Sequence, residues 1–353
     1  MSSATTPDPD RLEARRVTLV YTMFNHLGDF VVMAGLLKKY DLLKVEFESL
    51  AVHPNSPHIS SFAGKTEGRF FNIFNLAVLF GLIARLRRRS SAGGIILGIP
   101  MAPGSIQAFV FFWMLKKLGA ITHIVDFNLV NADVITPPRA RYIYNRHLAQ
   151  TAEIFKRPEW LEENSMPLGL SAPITRLQWT GLRVGFFPWT ARAHLPEFTW
   201  QREKWSKLAS LILADSRLDL VLFGRDPRFS EFYDQLRMDL AEEMRPRLFA
   251  TPVSSIKEFL AALQDLDYLV TLNTSALHLA HALKIPLVVM SGSSLELWVP
   301  EGDHIRVVRD ENGALPPSDI YRHDLFQPSL QRIDVRNVHE AFLDLRRSFP
   351  RSS

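Results

Sequence analysis

Cysteine is absent from all 353 residues, which excludes a disulfide framework, an iron–sulfur cluster and a thiolate zinc site. The absence also fits a reducing compartment. Residues Met1 to Asp10 offer neither a basic nor an apolar segment, and Asp8 and Asp10 stand where those would be, so no secretion signal is expected. No uninterrupted apolar stretch reaches the roughly 20 residues a membrane span needs. No nucleic-acid module is recognisable, and no nucleic-acid partner is expected. The glycines Gly93, Gly94 and Gly98 lack the Lys-Ser/Thr of a phosphate loop and read as turns.

What is present describes a folded protein. Apolar residues make up 47% and charged residues 22%, a balance that can bury a core. The length exceeds one ordinary core and suits two domains. Net charge is +4 and the isoelectric point lies near 9.3, which favours polyanions weakly: anionic lipid, nucleic acid or a phosphorylated substrate. One segment, Phe70 to Leu86, is strongly apolar apart from Asn72 and Asn75 and runs straight into Arg87, Arg88 and Arg89. Two readings stand: a buried helix with a solvated basic end, or an interfacial helix with arginines against anionic lipid.

Strand-like and helix-like stretches alternate along the chain. Arg16 to Thr22 reads as a strand, Asn25 to Asp29 as a polar loop and Phe30 to Lys39 as a helix, the opening unit of a doubly wound sheet. Val45 to Val52, Gly94 to Gly98 and Ile121 to Val125 are further strands, with helices over Ile106 to Leu118 and Arg141 to Phe155. Pro158 to Pro173, rich in proline and polar residues, reads as a linker, giving domains over 1–165 and 166–353. A second series follows, with strands at Arg183–Phe187, Leu218–Phe223, Arg247–Thr251, Tyr268–Leu272 and Leu287–Met290. Helices at Gln201–Ala214, Phe229–Glu243, Ser255–Gln264 and Ser275–Leu283 separate them. Such alternation predicts parallel sheets covered on both faces.

The stretch with most chemistry is Asp267 to Pro286. An apolar strand ends at Leu272, and Asn273 and Thr274 supply N-cap chemistry for the helix after it. The first amides of such a helix lack internal partners and sit at the positive end of its dipole, where parallel α/β sheets bind phosphate. An ordinary capped core helix fits the same residues. His278 and His281, three apart, share a face.

The run Asn273-Thr274-Ser275-Ala276-Leu277-His278-Leu279-Ala280 resembles the signature of the heptosyltransferases, glycosyltransferase family 9. There an acidic residue, Ser/Thr and Gly precede two residues and His-x-Ala. The likeness continues through Ile285-Pro286 and Val288 to Gly292-Ser293-Ser294, ending at Trp298-Val299-Pro300. His26-Leu27-Gly28-Asp29 resembles the family's Gly-Asp loop, Phe187-Pro188-Trp189-Thr190 its phosphate-side loop, and Val221 to Gly224 the strand and glycine that follow. The likeness is good from Gly181 to Val308 and thin between Asp41 and Phe155.

The resemblance implies an α/β protein of the GT-B type, two Rossmann-like doubly wound domains facing a central cleft. The N-terminal domain would bind a glycan or glycolipid acceptor, such as a lipopolysaccharide core, and the C-terminal domain a nucleotide-sugar donor. It implies an inverting, metal-independent transferase with no cofactor beyond the donor as co-substrate. Asp29 would be the general base, although helix capping is its plainer use. Thr190, Arg192, Asn273, Thr274, Ser275, Ala276, Leu277 and His278 would bind donor, supported by Gly28, Gly224, Gly292 and Ser294.

The resemblance further implies a bacterial cytoplasmic enzyme, with peripheral contact to an anionic membrane as one option. Four positions depart from the pattern: Asn273 for an acidic residue, Ser275 for glycine, Trp189 for a small residue, and Phe198 where a lysine is usual. Arg192 is the candidate replacement for that lysine. Asn273, Ser275 and the missing lysine favour the alternative, a non-catalytic GT-B protein that binds nucleotide or glycan; the retained Asp29, Thr274 and His278 speak against it.

Overall fold

The computed structural model describes residues 17–22, 27–42, 47–51, 69–70, 76–100, 106–125, 143–161, 166, 181–190, 199–291, 299–310 and 330–351. The chain divides into two compact units, Met1–Gly169 and Leu170–Ser353.

The first unit contains β1 (Val17–Thr22), α1 (Leu27–Leu42), β2 (Phe47–Ala51), β3 (Arg69–Phe70) and α2 (Leu76–Ser91). After these come β4 (Ile95–Pro100), α3 (Ile106–Lys117), β5 (His123–Ile124) and α4 (Ile143–Phe155). The strands pair parallel in the order β3-β2-β1-β4-β5. From β1 the chain first winds toward β2 and then crosses back to β4, so the winding direction reverses between β1 and β4. Crossovers of one hand then put α1 on one face of the sheet and α2 and α3 on the other. Accordingly, Leu82 and Leu86 of α2 and Phe112 and Leu115 of α3 share one core cluster with Val20, Ile96 and Ile121.

Two sequence expectations change here. The polar loop expected through Asp29 is shorter, because α1 already begins at Leu27 and takes Gly28 and Asp29 into its first turn. A carboxylate in that turn is favoured by the helix dipole, and the apolar run from Val31 to Leu37, fully buried, propagates the helix backward. The buried-helix reading of Phe70–Leu86 does not hold either. Phe70 lies in β3, and of α2 only Leu82 and Leu86 are buried, whereas Leu76 and Phe80 are each 66% exposed. No helix among the described residues is long and apolar enough to cross a membrane.

The stretch read as a linker is partly packed. Pro158–Leu161 is a short 3-10 helix whose Trp160 ring lies 5.3 Å from that of Phe155. Met166 is buried, and a Cβ on Gly35 of α1 would come within 2.4 Å of it.

The second unit runs β6 (Leu182–Phe187), α5 (Arg202–Leu213), β7 (Leu218–Gly224), α6 (Phe229–Asp239), β8 (Leu248–Pro252) and α7 (Ile256–Gln264). It continues with β9 (Tyr268–Leu272), α8 (Ser275–Ala282), β10 (Leu287–Ser291), β11 (Ile305–Arg309) and α9 (Val335–Ser348). All six strands are parallel, in the order β11-β10-β9-β6-β7-β8. β7, β9 and β10 are buried along their whole length, which is why they read as continuous apolar runs rather than alternating ones. α6 ends at Asp239, earlier than the expected Glu243, because Leu240 turns extended at φ −81° and ψ 146°.

Neither β11 nor α9 is among the expected elements, yet α9 holds the unit together. It packs against α5, β10 and β11 through buried Val338, Phe342 and Leu345. Asp334 caps its start by accepting from the Arg336 amide at 2.7 Å. The Phe342 ring meets Tyr268 of β9 edge-on at 5.8 Å, and the Tyr268 hydroxyl donates to the Phe349 carbonyl at 2.8 Å. Trp200 donates to the Ile333 carbonyl at 3.0 Å and stands edge-on to the fully buried Trp205 at 5.1 Å. Truncating Phe342→Ala empties the centre of this contact. The expected loss of unfolding free energy is about 3–5 kcal/mol, measurable by denaturant titration, and a loss below about 1 kcal/mol would show α9 to be a loose appendage.

Candidate functional site

In an open parallel sheet, loops leave in opposite directions wherever the winding reverses, and the crevice they leave lies beyond the carboxyl ends of the strands. In the second unit the reversal falls between β6 and β9, which pair with Phe187 opposite Thr271. The residues that continue past those ends are Pro188, Trp189 and Thr190 on one side, and Asn273 and Thr274 on the other. Thr190 and Asn273 through His278, assigned to donor binding from the sequence, therefore flank one crevice. Gly224 ends β7, next to β6, and is the last residue of a strand rather than part of a loop. Arg192, Gly292 and Ser294 lie outside the described residues. Gly28 and Asp29 belong to the first unit, where α1 begins beside that unit's own reversal point, between β1 and β4.

The crevice is built locally as follows. The Thr271 hydroxyl donates to the Phe187 carbonyl at 3.3 Å and to the Leu272 carbonyl at 3.0 Å, tying the two strand ends together. The Asn273 amide donates to the Met290 carbonyl at 3.1 Å, which carries the ladder one residue beyond β9. Thr274 is the N-cap of α8, with extended backbone at φ −144°. Its hydroxyl makes no capping bond, and the Oγ1 atom is buried with no hydrogen-bond partner among the described residues.

An uncompensated buried hydroxyl costs about 1–3 kcal/mol, so a polar group that reached this atom would supply a bond it lacks among the described residues. Of the first amides, that of Leu277 is already closed onto the Thr274 carbonyl at 3.1 Å. Those of Ser275 and Ala276 open the helix and have no partner within it. Asn273, Thr274 and Ser275 are half-buried, while Ala276, Leu277 and His278 are buried.

Trp189, in place of a small residue, is absorbed into the core below the crevice. Its indole donates to the Phe223 carbonyl at 2.8 Å and its ring leans on Phe232 at 5.2 Å. A Cβ on Gly224, whose φ is +151°, would fall 2.1 Å from the Trp189 Nε1. Glycine is thus required at the end of β7 by the tryptophan above it. This contact is not legible in the sequence, since Trp189 and Gly224 lie far apart in the chain.

Two histidines of α8, His278 and His281, and His304 just before β11 lie near one another. The His281 Nδ1 and His304 Nε2 are 3.3 Å apart and their rings are stacked 5.3 Å centroid to centroid. Burial pushes His278 down to about 4. Burial, then His304, His278 and Lys284, pushes His281 down to about 3. Among the described residues no group of three side chains is placed to hold a metal ion. A cleft at the opposite, amino end of the same strands is lined by Leu182, Arg217, Tyr268 and Arg346. Asp215 engages both Arg217, at 2.8 Å, and Arg346, at 3.0 Å, at that end, and Arg347 and Arg351 line the cleft as well.

The glycosyltransferase family 9 (heptosyltransferase) model matches residues 172–320, a span that contains every strand of the second unit and the whole crevice. Residues 172–320 are a glycosyltransferase family 9 domain. The chain is accordingly a glycosyltransferase, and a divergent one. Its fold is GT-B.

Among solved structures it is similar to a family 9 glycosyltransferase from Veillonella parvula, with a TM-score of 0.61 and 16% identity, covering 97% of this chain and 99% of that one. It is also similar to the E. coli ADP-heptose lipopolysaccharide heptosyltransferase II, with a TM-score of 0.59 and 16% identity, over 93% of this chain and 98% of that one. The E. coli heptosyltransferase WaaC with ADP-2-deoxy-2-fluoro heptose gives a TM-score of 0.56 and 17% identity, over 93% and 99%. At these identities the likeness speaks for the fold. No curated protein sequence matches the chain.

The histidines make stability depend on pH. Unfolded, they titrate near 6.5; folded, His278 and His281 do so near 4 and 3. Between those values the unfolded chain binds more protons, so their contribution is complete above 6.5 and is lost as pH falls toward 4. Unfolding free energy measured across this window is expected to decline with acid. His278→Gln, whatever it does at neutral pH, is expected to flatten the decline by about one proton. An unchanged slope would mean that His278 is already protonated in the fold.

Proposed function

We propose that this glycosyltransferase moves a heptose or related sugar, with inversion, from a nucleotide-sugar donor held by the second unit to a glycan or glycolipid acceptor. The observation that carries the reading is the crevice at the β6/β9 reversal, where a buried hydroxyl with no partner among the described residues and two open helix amides meet inside a family 9 domain. Diphosphate is the ligand that chemistry suits: it offers acceptor oxygens and negative charge to N–H and O–H donors at a helix N-terminus.

In this reading the acceptor hydroxyl oxygen attacks the anomeric carbon as the bond from that carbon to the diphosphate oxygen breaks. The acceptor proton passes to the Asp29 carboxylate. The electron pair of the broken bond stays on the nucleoside diphosphate. Thr274 and the Ser275 and Ala276 amides stabilise the charge that develops there, with Thr190 contributing from the β6 side and Arg192, outside the described residues, as the candidate cation. Asn273 hydrogen-bonds sugar hydroxyls without the charge of an acidic residue. No metal and no further cofactor take part. A lipopolysaccharide-type acceptor at the cytoplasmic face of a bacterial membrane is the acceptor class the family suggests, and ADP-heptose is the donor to test first, since it is named for related structures.

A melting screen against ADP, UDP, GDP, CMP and dTDP and their sugar conjugates tests the donor half. A true site filled to about 100 times Kd stabilises the fold by roughly 2.7 kcal/mol, and one base is expected to do so. Thr274→Val is expected to weaken that nucleotide by about tenfold, the worth of one hydrogen bond to a charged group. Asp29→Ala is expected to abolish nucleotide release from the sugar donor while leaving the melting shift intact. Turnover unaffected by Asp29→Ala would remove it as the base, and no shift with any nucleotide would turn the reading toward a non-catalytic binder of glycans.

A further inference from the structure

The covering helices on one face of the first sheet are apolar on the side that faces outward. On α2, the buried positions are Leu82 and Leu86, and the outward stripe reads Leu76, Ala77, Phe80, Gly81 and Ala84, then Arg87 and Arg88. On α3 the outward stripe reads Val110, Trp113 and Lys117, with Phe112 and Leu115 turned into the core. Leu76 and Phe80 are each 66% exposed, Val110 51% and Trp113 49%. These are large side chains to leave in water, and their full burial elsewhere would each contribute a substantial hydrophobic gain.

Charge on this face has one sign. Neither helix carries an acidic residue, and none occurs anywhere between Glu67 and Asp126, although the chain holds 37 in all. Seven lysines and arginines fall in the same interval. Arg89 turns inward and donates to the Thr18 hydroxyl at 3.0 Å, but Arg87 and Arg88 are exposed, and the exposed Lys117 ammonium lies 5.6 Å over the Trp113 ring. Both helices are crossovers of the same parallel sheet and run in the same direction. Their apolar halves therefore lie toward the carboxyl edge of the sheet, the edge where α1 and Asp29 begin, and their basic ends lie together toward the amino edge.

From this arrangement we infer that the outer face of α2 and α3 docks on an anionic lipid bilayer, with Leu76, Phe80, Val110 and Trp113 entering the interface and Arg87, Arg88 and Lys117 meeting headgroups. An amphipathic surface with aromatic and aliphatic residues beside lysine and arginine has the composition of an interfacial anchor. The charge decides between occupants. A second copy of the same face brings more cations and no acidic group to pair with them, whereas an anionic surface attracts each cation within a Debye length. The inference concerns the first unit and stands apart from donor chemistry, though it would place the acceptor-binding edge at a membrane carrying the glycolipid.

Co-sedimentation of the full chain with vesicles tests it, comparing phosphatidylcholine alone with an equal mixture of phosphatidylcholine and phosphatidylglycerol. Sedimentation with the mixed vesicles only, weakened by added salt, is expected. The pair Arg87→Glu/Arg88→Glu is expected to lower partitioning at least about tenfold, and Phe80→Ser/Trp113→Ser to do the same at unchanged lipid charge. All four positions are solvent-exposed, so an unchanged melting midpoint verifies that the variants fold.

Equal binding by wild type and both variants would overturn the inference, as would absence of sedimentation with either vesicle. A concentration-dependent dimer that Phe80→Ser/Trp113→Ser dissociates, without vesicle binding, would overturn it in favour of self-association. The nucleotide-induced melting shift is a separate readout, and its loss bears on sugar transfer alone.

Discussion

The pairing of β6 with β9 is the constraint on which the second unit depends. Six parallel strands can be covered on both faces only by crossovers that change direction once, and the change falls at that pair. Everything chemical follows from this placement. The chain leaves β6 toward Thr190 and leaves β9 toward Thr274, opening a gap that the sheet's own hydrogen bonds cannot close. The Thr271 hydroxyl, bonded to the Phe187 and Leu272 carbonyls, satisfies the strand ends just below the gap. The next hydroxyl along, that of Thr274, has no hydrogen-bond partner among the described residues. A polar group this costly to bury is retained most readily where a ligand completes its bonding.

The departures from the family pattern sort themselves by where they sit. Trp189 looks disruptive in sequence, yet it serves as a wedge of core between β7 and α6, bonded to Phe223 and requiring Gly224 to have no side chain. It alters the floor of the crevice rather than its donors. Asn273 and Ser275 are half-buried at the crevice itself, so they bear directly on which sugar and which phosphate geometry are accepted. Behind them, the neutral His278, His281 and His304 cluster packs α8 against the start of β11, at the cost of sensitivity to acid.

The sequence was most readable where local and global preferences agreed. The buried strands β7, β9 and β10 are short apolar runs bounded by polar or proline residues, which mark their ends to within a residue or two. The N-cap at Thr274 was legible from residue type alone, while its failure to cap was not, because that depends on what surrounds the hydroxyl. α9 escaped because its sequence is dominated by charge. Its buried Val338, Phe342 and Leu345 do recur at helical spacing, and that periodicity was the available signal. The start of α1 is ambiguous in the sequence because Gly28 and Asp29 suit a loop as well as a first turn. α2 misled in the other direction: the apolar character of Phe70–Leu86 suggested burial, whereas the fold spends only Leu82 and Leu86 on the core.

The central claim is that nucleotide diphosphate occupies the β6/β9 crevice. Amide hydrogen exchange, followed by mass spectrometry with and without the nucleotide that stabilises the chain, tests it most directly. Slowed exchange is expected in peptides covering Phe187 to Thr190 and Asn273 to His278, with the amino ends of the same strands, near Leu182 and Arg217, unchanged. Protection confined to the first unit, or to the Arg217 and Arg346 cleft at the far end of the sheet, would contradict the claim.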